Sequence, residues 1–145
     1  MTTRAFGSVT AGDVLDDLAL PITRTLIVSG ALASRDYQDV HHDPALSKER
    51  GSPDIFMNIL TTNGLVGRYV TDWSGPGGFL KNVDIRLGAP NYPDDTMTLR
   101  GEVTETLPDE ADSSRGVVVL KVTGSNSIGD HVVGTVRVSL PRGES

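Results

Sequence analysis

Ionisable side chains are concentrated in residues 33–44, which hold two of the three histidines and three aspartates. Asp36 and His41 are five positions apart, a spacing at which a turn-rich segment can fold both side chains into one cleft. A carboxylate and an imidazole have opposite natural protonation states near neutral pH, so such a pair can act as general acid and base. The simpler alternative is structural, with Asp36 capping a turn and His41 packed at the surface.

A metal site is a second hypothesis for the same stretch. His41, Asp43 and the distant His131 follow the order of a two-histidine, one-carboxylate iron site, as in an iron oxygenase. Such sites usually lie in double-sheet jelly rolls, whereas a long helical pattern occupies the middle of this chain. His131 also follows a Gly-Asp pair, which is typical of a hairpin flank. The pattern therefore favours acid–base chemistry over metal chemistry.

The other ionisable residues of the stretch fit structural roles. His42 is adjacent to His41, and neighbouring side chains seldom enter the same cleft, so we expect His42 at the surface or at a subunit contact. Asp43 precedes a proline, a combination that typically begins a helix, and it is the expected N-cap of a short helix over residues 44–50.

Composition narrows the class of protein. The chain has 145 residues, 37% hydrophobic and 22% charged, which is ordinary for one globular domain. Its net charge of −6 and the lack of a basic cluster argue against a nucleic-acid binder. With no cysteine, disulfides, thiolate nucleophiles and cysteine-type zinc sites are excluded. The N-terminus lacks the apolar core of a signal peptide, and no apolar run approaches the roughly 20 residues of a membrane span. We therefore expect a cytoplasmic protein.

The order of elements indicates a helix followed by a β-meander. Residues 22–28 are rich in β-branched side chains and predict a strand, or a strand that leads into a short helix. Residues 54–73 carry apolar side chains at three- and four-residue spacing, which predicts one long helix. Gly64 and Gly67 within that helix predict that another backbone packs closely there. Four strands are predicted after it, at 79–87, 96–106, 116–125 and 131–140.

These elements predict an α+β domain over residues 1–145, with a five-stranded antiparallel sheet wrapped around a long central helix. Short connections between successive strands imply antiparallel pairing. The helix is apolar nearly all round, so we expect the sheet to bury it on most sides. The exposed sheet edge predicts pairing with another such layer into a longer sheet.

The motif around the aspartate–histidine pair resembles a known family. Residues 12–15, 21–25 and 33–44 are similar to the N-terminal half of MaoC-like (R)-specific enoyl-CoA hydratases. In their motif, glycine-aspartate-x-asparagine-proline-hydrophobic-histidine, Asp36 and His41 take the positions of the catalytic aspartate and histidine. The resemblance implies a hot-dog fold and an enoyl-CoA substrate. It also implies that His41 takes a proton from water, while Asp36 orders the water and delivers a proton to the α carbon.

One branch of the family is more similar still, the small MaoC-like subunit of the actinobacterial cholesterol side-chain hydratase. That resemblance implies a steroid enoyl-CoA substrate and a second, larger MaoC-like subunit as partner, in a hetero-oligomer. It covers most of the chain, through the segments 34–43, 54–61, 68–73, 86–88 and 126–131.

The chain departs from the general hydratase motif at two places. Gln38 stands where the motif has asparagine and Asp39 where it has proline, and glutamine can still orient a water or substrate. Phe56 and Met57 stand where the family has a histidine-glycine pair whose glycine N–H binds the thioester oxygen. The oxyanion donor implied by the resemblance is then the backbone N–H of Met57 or Asn58. No metal or redox cofactor is implied, because coenzyme A is part of the substrate.

Two alternatives share the fold. The chain could be a non-catalytic hot-dog subunit that supports a partner's site, although the presence of Asp36 and His41 favours catalysis here. It could also be a thioesterase, which would need a carboxylate on the central helix near the thioester. Residues 55–70 contain no aspartate or glutamate, and this argues against a thioesterase.

Overall fold

The structure is a computed structural model that describes residues 2–143. The remaining positions of the predicted domain, 1, 144 and 145, lie outside the described residues. Short 3₁₀ turns occupy Phe6–Ser8 and Asp39–His41. The helices and strands, in chain order, are β1 (Leu18–Ile22), α1 (Arg24–Ala33), α2 (Pro44–Glu49), α3 (Ile59–Ser74), β2 (Phe79–Leu87), β3 (Asp95–Pro108), β4 (Arg115–Ser125) and β5 (Asp130–Pro141).

The five strands form one antiparallel sheet in the order β1-β3-β4-β5-β2. The central strand β4 sends Val118, Leu120 and Val122 into the core, and Leu120 pairs with Val103 of β3 and Val136 of β5. These β-branched and leucine side chains alternate with outward residues, as a half-buried strand requires. The predicted α+β class and five-stranded antiparallel hot-dog sheet are confirmed, with the ends of β2 to β5 displaced by at most two residues. The predicted four-strand meander is wrong at its first step, because β2 pairs with β5 rather than with β3, and only β3, β4 and β5 follow one another in the sheet.

The long helix α3 packs on one face of the sheet through one side only. Val66 and Val70 are fully buried, and Tyr69 is nearly so, where its hydroxyl donates to the carbonyl of Asp16 at 3.0 Å. By contrast, Ile59 and Leu60 in the first turn are half exposed. The expected burial of α3 on most sides is therefore wrong for this chain by itself. None of the described helices is long and apolar enough to cross a membrane.

The long helix begins five residues later than the sequence pattern predicts. Asn58 is its N-cap, with extended backbone (φ −79°, ψ 160°) and a side-chain oxygen that accepts the N–H of Thr61. Before it, the N–H of Phe56 bonds the carbonyl of Val40, and the N–H of Met57 bonds the carbonyl of Asn91. These long-range bonds hold residues 56 and 57 outside the helix. Met57 is apolar because it is buried in the core, although its spacing also fits a helical pattern.

The predicted strand at 22–28 also differs from the structure. β1 ends at Ile22, and the β-branched residues that follow lie in α1. The change occurs at Thr23, whose hydroxyl accepts the N–H of Leu26 at 3.0 Å and so caps the helix. The alternative prediction, a strand leading into a helix, has the right order, but the strand begins at Leu18, four residues earlier than expected.

Close helix packing occurs at a different glycine from those predicted. A Cβ added at Gly64 would have no described heavy atom within 4 Å, and one at Gly67 would make an ordinary contact with Leu80. A Cβ added at Gly30 of α1 would instead overlap the hydroxyl oxygen of Thr61 and lie 2.9 Å from its methyl carbon. α1 therefore crosses the first turn of α3 at Gly30, next to the stretch that carries the aspartate–histidine pair.

Candidate active site

Asp36 and His41 lie side by side, with Asp36 Oδ2 3.4 Å from His41 Nε2. Asp36 follows α1 through a turn in which its N–H bonds the carbonyl of Ala31 and the N–H of Arg35 bonds the carbonyl of Leu32. This is the Schellman pattern, and Arg35 takes the left-handed backbone position in it, at φ 57°. His41 ends the following 3₁₀ turn. The two residues that the sequence pairs are thus brought together.

The backbone of Phe56 fixes the orientation of the His41 ring. His41 Nδ1 lies 2.6 Å from the carbonyl oxygen of Phe56, and because a carbonyl only accepts, Nδ1 carries the proton that is shared. In the neutral ring, Nε2 is then the unprotonated nitrogen, and it faces Asp36. The edge of the Phe56 ring also packs against the imidazole, at 5.0 Å between centroids.

A water molecule fits the electrostatics of the pair. Neutral Nε2 and an ionised carboxylate are both acceptors, so a molecule that donates a proton to each would bridge His41 and Asp36. The His41 side chain is 8% exposed and that of Asp36 is 19% exposed, which leaves an opening toward the carboxylate. The arrangement can therefore hold a water, remove its proton and act on a neighbouring substrate atom.

Asn58 connects the pair to α3 through a side chain whose role the sequence did not reveal. Its Nδ2 donates to Asp36 Oδ2 at 3.0 Å and to Ser34 Oγ at 2.9 Å. Its Oδ1 accepts the N–H and the hydroxyl of Thr61, at 3.0 and 2.6 Å. With 2% of its surface exposed, Asn58 is a buried hub that holds Asp36. An asparagine before an apolar helical run is a capping signal, but Asp54 offered a competing start.

The structure corrects one of the two predicted oxyanion donors. The N–H of Met57 donates to the carbonyl of Asn91 at 3.1 Å and cannot also bind a substrate oxygen in this conformation. The backbone N–H of Asn58 has no acceptor among residues 2–143. The first two N–H groups of α3, at Ile59 and Leu60, have no intrahelical partner by helix geometry. The first remaining candidate for the oxyanion donor is therefore the backbone N–H of Asn58, and this role stays a prediction.

Gln38 contacts the pair through its backbone alone. Its N–H lies 3.4 Å from Asp36 Oδ1, a long bond, while its side chain is exposed and bonds none of the described residues. The predicted water- or substrate-orienting role of Gln38 stays a prediction. Asp39, its neighbour, is held away from the pair by two 2.7 Å contacts with Arg50, and this hydrogen-bonded ion pair lowers the pKa of Asp39.

The iron-site alternative is wrong, because its ligands are held apart by other bonds. Asp43 is the N-cap of α2, as predicted, and its carboxylate accepts the N–H groups of Ala45 and Leu46. Both ring nitrogens of His131 are occupied, Nδ1 by the carbonyl of Ala89 and Nε2 by the hydroxyl of Thr62. Within residues 2–143, no three metal-binding side chains come together.

A comparison with known families identifies the domain. The model of the MaoC like domain family matches residues 6–127, which includes every residue of the site described above except His131. The chain belongs to the MaoC-like family.

This MaoC-like chain is 50% identical over 129 residues to the 3-oxo-4,17-pregnadiene-20-carboxyl-CoA hydratase beta subunit of Mycobacterium tuberculosis, covering 89% of this chain and 95% of that protein. A solved structure, that of the ChsH1–ChsH2 complex from the same organism, matches with a TM-score of 0.83 and 50% identity. The match covers 90% of this chain and 98% of that one. The R-hydratase PhaJ1 of Pseudomonas aeruginosa shares the fold, with a TM-score of 0.83 at 20% identity, over 96% of this chain and 86% of that chain.

The hub role of Asn58 in this MaoC-like domain can be separated from its capping role. Asn58→Ser keeps an oxygen for the Thr61 N–H but cannot reach Asp36, whereas Asn58→Ala loses both contacts. We expect Asn58→Ala to lower the free energy of unfolding by about 1 kcal/mol, while serine largely preserves it. We expect both variants to lower turnover by about tenfold, because Asp36 loses its fixed donor. Denaturant unfolding and steady-state rates measure the two effects, and wild-type turnover in Asn58→Ser would disprove the hub role.

Burial of His131 makes stability depend on pH. Desolvation lowers the pKa of this imidazole below its usual value near 6.5, and the bond to Ala89 offsets this only in part. The unfolded chain therefore takes up the proton first, so the stabilisation is complete above about pH 6.5 and is lost as the pH falls below it. We expect the free energy of unfolding, from urea titrations, to decline between pH 7.5 and 5.5. The decline should be smaller in His131→Gln and unchanged in His42→Gln; an equal decline in all three would contradict the assignment.

Proposed function

We propose that this chain is a hydratase subunit that adds water across the α,β double bond of an enoyl-CoA thioester. The observation that carries the proposal is the contact between Asp36 and His41, with the Nδ1 of His41 tied to a backbone carbonyl and Asp36 held by Asn58. A fixed base and a fixed carboxylate around one water-sized position suit this reaction. The 50% identity to a CoA hydratase subunit supports it.

The proposed reaction is an acid–base addition of water to the double bond. His41 Nε2 takes a proton from the bridging water, whose oxygen forms a bond to the β carbon as the double bond is consumed. Asp36 orders the water, receives the proton from the His41 imidazolium and relays it to the α carbon, so the product gains one hydroxyl and one hydrogen and both side chains return to their starting states. The carbonyl of Phe56 accepts from Nδ1 and stabilises the imidazolium that forms. Because the addition is redox-neutral, we propose that it needs no metal or redox cofactor.

Charge that develops on the thioester oxygen needs donors close to the pair. The N–H of Asn58 and the free first-turn N–H groups of α3 lie at the N-terminus of the helix, close to the pair. This is the positive end of the helix dipole. We propose that the thioester oxygen binds there. Loss of one such donor typically raises the barrier by about 2.7–4 kcal/mol, so this contact would supply much of the rate acceleration.

We propose that the acyl group of the substrate is a steroid and that a second subunit completes the pocket that binds it. Large apolar side chains stay exposed on the elements that flank the pair, namely Leu32, Tyr37, Ile59 and Leu60. Two cavities flank the pair, one beside Tyr37 and one beside Leu60, and neither is lined by Asp36 or His41. We propose that a second MaoC-like subunit covers this apolar surface and completes an acyl pocket. The similar chain of the ChsH1–ChsH2 complex supports a partner of this kind.

The proposed partner surface includes the exposed side of α3 and the free edge of β2. β2 is an outer strand of the sheet, and none of its residues is fully buried although Val83, Ile85 and Leu87 face the core. A long edge strand with apolar residues is normally covered. A Cβ added at Gly64 would have no described atom within 4 Å, so the backbone of a second subunit has room to approach α3 closely there.

Blocking the open position on α3 tests the partner surface. We expect Gly64→Gln to fold normally as an isolated chain, because nothing lies within 4 Å of the added Cβ and glutamine favours a helix. We expect it to weaken assembly with the second subunit, because the side chain occupies the space the partner needs. Light scattering of the mixed subunits measures this. Thr135→Gln, on the outer face of the sheet, is the control, and normal assembly of Gly64→Gln would remove α3 from the interface.

The activity experiment uses the chain together with its partner MaoC-like subunit. Loss of enoyl-CoA absorbance is followed with a short acyl chain and with a steroid side-chain ester, and free thiol is measured in parallel. We expect hydration of the steroid ester without thiol release. Thiol release would indicate a thioesterase. If changing the aspartate–histidine pair of the partner abolished hydration while Asp36→Asn and His41→Gln left it intact, this chain would be a supporting subunit instead.

A further inference from the structure

A line of buried polar groups runs from β5 to the candidate site. His131, 1% exposed, is the second residue of β5, and its Nε2 lies 2.8 Å from the hydroxyl oxygen of Thr62 in α3. Thr62 is fully buried, and its N–H makes the first helical bond of α3, to the carbonyl of Asn58 at 3.2 Å. Asn58 in turn holds Asp36. Three consecutive contacts thus join a histidine outside the catalytic pair to the carboxylate of that pair.

The direction of each bond in this line is determined. His131 Nδ1 lies 2.7 Å from the carbonyl of Ala89, so Nδ1 is the donor and Nε2 of the neutral ring is an acceptor. The single hydroxyl proton of Thr62 therefore points to His131. Thr62 Oγ1 is 3.4 Å from the Asn58 carbonyl, so that carbonyl is left to the stronger bond from the Thr62 N–H. The first turn of α3 consequently has one hydrogen-bonding arrangement.

The loop before β3 holds the same segment from its other side. Ala89 accepts from His131, and two residues later the carbonyl of Asn91 accepts the N–H of Met57. The Oδ1 of Asn91 accepts from Asn126, so the β4–β5 hairpin is tied in as well. A buried polar network of this kind is fully satisfied and specifies one geometry, where apolar residues of similar volume would tolerate several.

We infer that His131 and Thr62 are positioning residues of the site, which fix the first turn of α3 and, through it, the Asn58 amide and the Asp36 carboxylate. This inference rests on the proposed hydratase function. Neither residue is adjacent in sequence to the catalytic pair, and neither touches it. Their effect is on where Asp36 is held when the water adds.

The test compares variants at Thr62 in the complex with the partner subunit. Thr62→Val keeps the shape and removes the hydroxyl, Thr62→Ser keeps the hydroxyl, and Thr71→Val removes a hydroxyl at the far end of α3 that bonds only the Arg68 carbonyl. We expect Thr62→Val to lower kcat about tenfold with KM changed by less than about twofold. We expect serine to restore kcat, and Thr71→Val to leave it unchanged.

A purely structural role predicts a different result. Thr62→Val would then lower the melting temperature but leave kcat of the folded enzyme at its wild-type value, and the inference would be overturned. His131→Asn, which keeps a donor for Ala89, is the second variant, and we expect it to lower kcat in the same way. If the wild-type complex itself had no hydratase activity, the proposed function would fail. The NMR signal of the Asn58 side-chain amide would still test the inference, because it should shift in Thr62→Val and not in Thr71→Val.

Discussion

Replacing Asp36 by asparagine or His41 by glutamine should lower the turnover number for hydration by about 10²–10⁴-fold. Asparagine keeps the shape of Asp36 and a group for Asn58 to bond, but it can neither carry the negative charge nor supply the proton. Glutamine at 41 can still reach the carbonyl of Phe56, but it offers no basic nitrogen toward the water. Steady-state hydration rates of the chain together with its proposed partner subunit measure both losses.

The matched control for His41 is its neighbour. His42 is exposed, and its Nε2 lies 3.1 Å from the carbonyl of Tyr37, away from the pair. We expect His42→Gln to retain normal turnover. The two losses should also be far from additive, because the pair acts as a unit on one water. Additive losses, or a His42 variant as impaired as the His41 variant, would contradict the assignment of roles.

Gly30→Ala should lower the free energy of unfolding by about 1–3 kcal/mol. The new methyl would overlap Thr61 Oγ1 and lie 2.9 Å from its Cγ2, so rotating the Thr61 side chain cannot make room and α1 must move away from α3. The displaced groups belong to the site. Thr61 Oγ1 donates to Asn58 at 2.6 Å, and Ser34 Oγ donates to the Gly30 carbonyl at 2.7 Å. Turnover should therefore fall along with stability.

Two further variants make this prediction specific. Gly64→Ala places the same methyl on a helix surface with open space, and in the isolated chain it should stabilise by up to about 1 kcal/mol through helix propensity. Gly30→Ala combined with Thr61→Ala removes the overlapping atoms and should recover part of the lost stability. Urea unfolding of the isolated chain measures all three. Equal effects at Gly30 and Gly64 would show that helix crossing at Gly30 is not the cause.

The sequence predicted those features that are decided by residues close together in the chain. Alternation predicted β2 to β5 to within one or two residues, and a proline after Asp43 predicted a capped helix. The pairing of Asp36 with His41 could be predicted because only a short turn-rich segment separates them. Each of these features is decided by residues close together in the chain.

The features that the sequence did not reveal depend on long-range contacts. Asn58 reaches Asp36 across 22 positions, and Met57 loses its N–H to Asn91 across 34. Apolar residues at 55–57 fit a helix as well as a buried extended segment, and only the carbonyls of Val40 and Asn91 decide between them. The open side of α3 differs from prediction for a related reason, since exposed apolar residues at helical spacing look identical in sequence to core residues.

The bond from His41 Nδ1 to the Phe56 carbonyl restricts proton transfer by His41 to its other ring nitrogen, Nε2. With Nδ1 tied to the backbone, the imidazole cannot pass a proton through its far side to bulk solvent. Within residues 2–143, the ionisable group paired with Nε2 is the Asp36 carboxylate, 3.4 Å away, so a proton taken up at Nε2 can pass to it. Hydroxyl and hydrogen then reach the substrate from the same side of its double bond. Under the proposed function, the addition is therefore syn, and dehydration of the product retraces it.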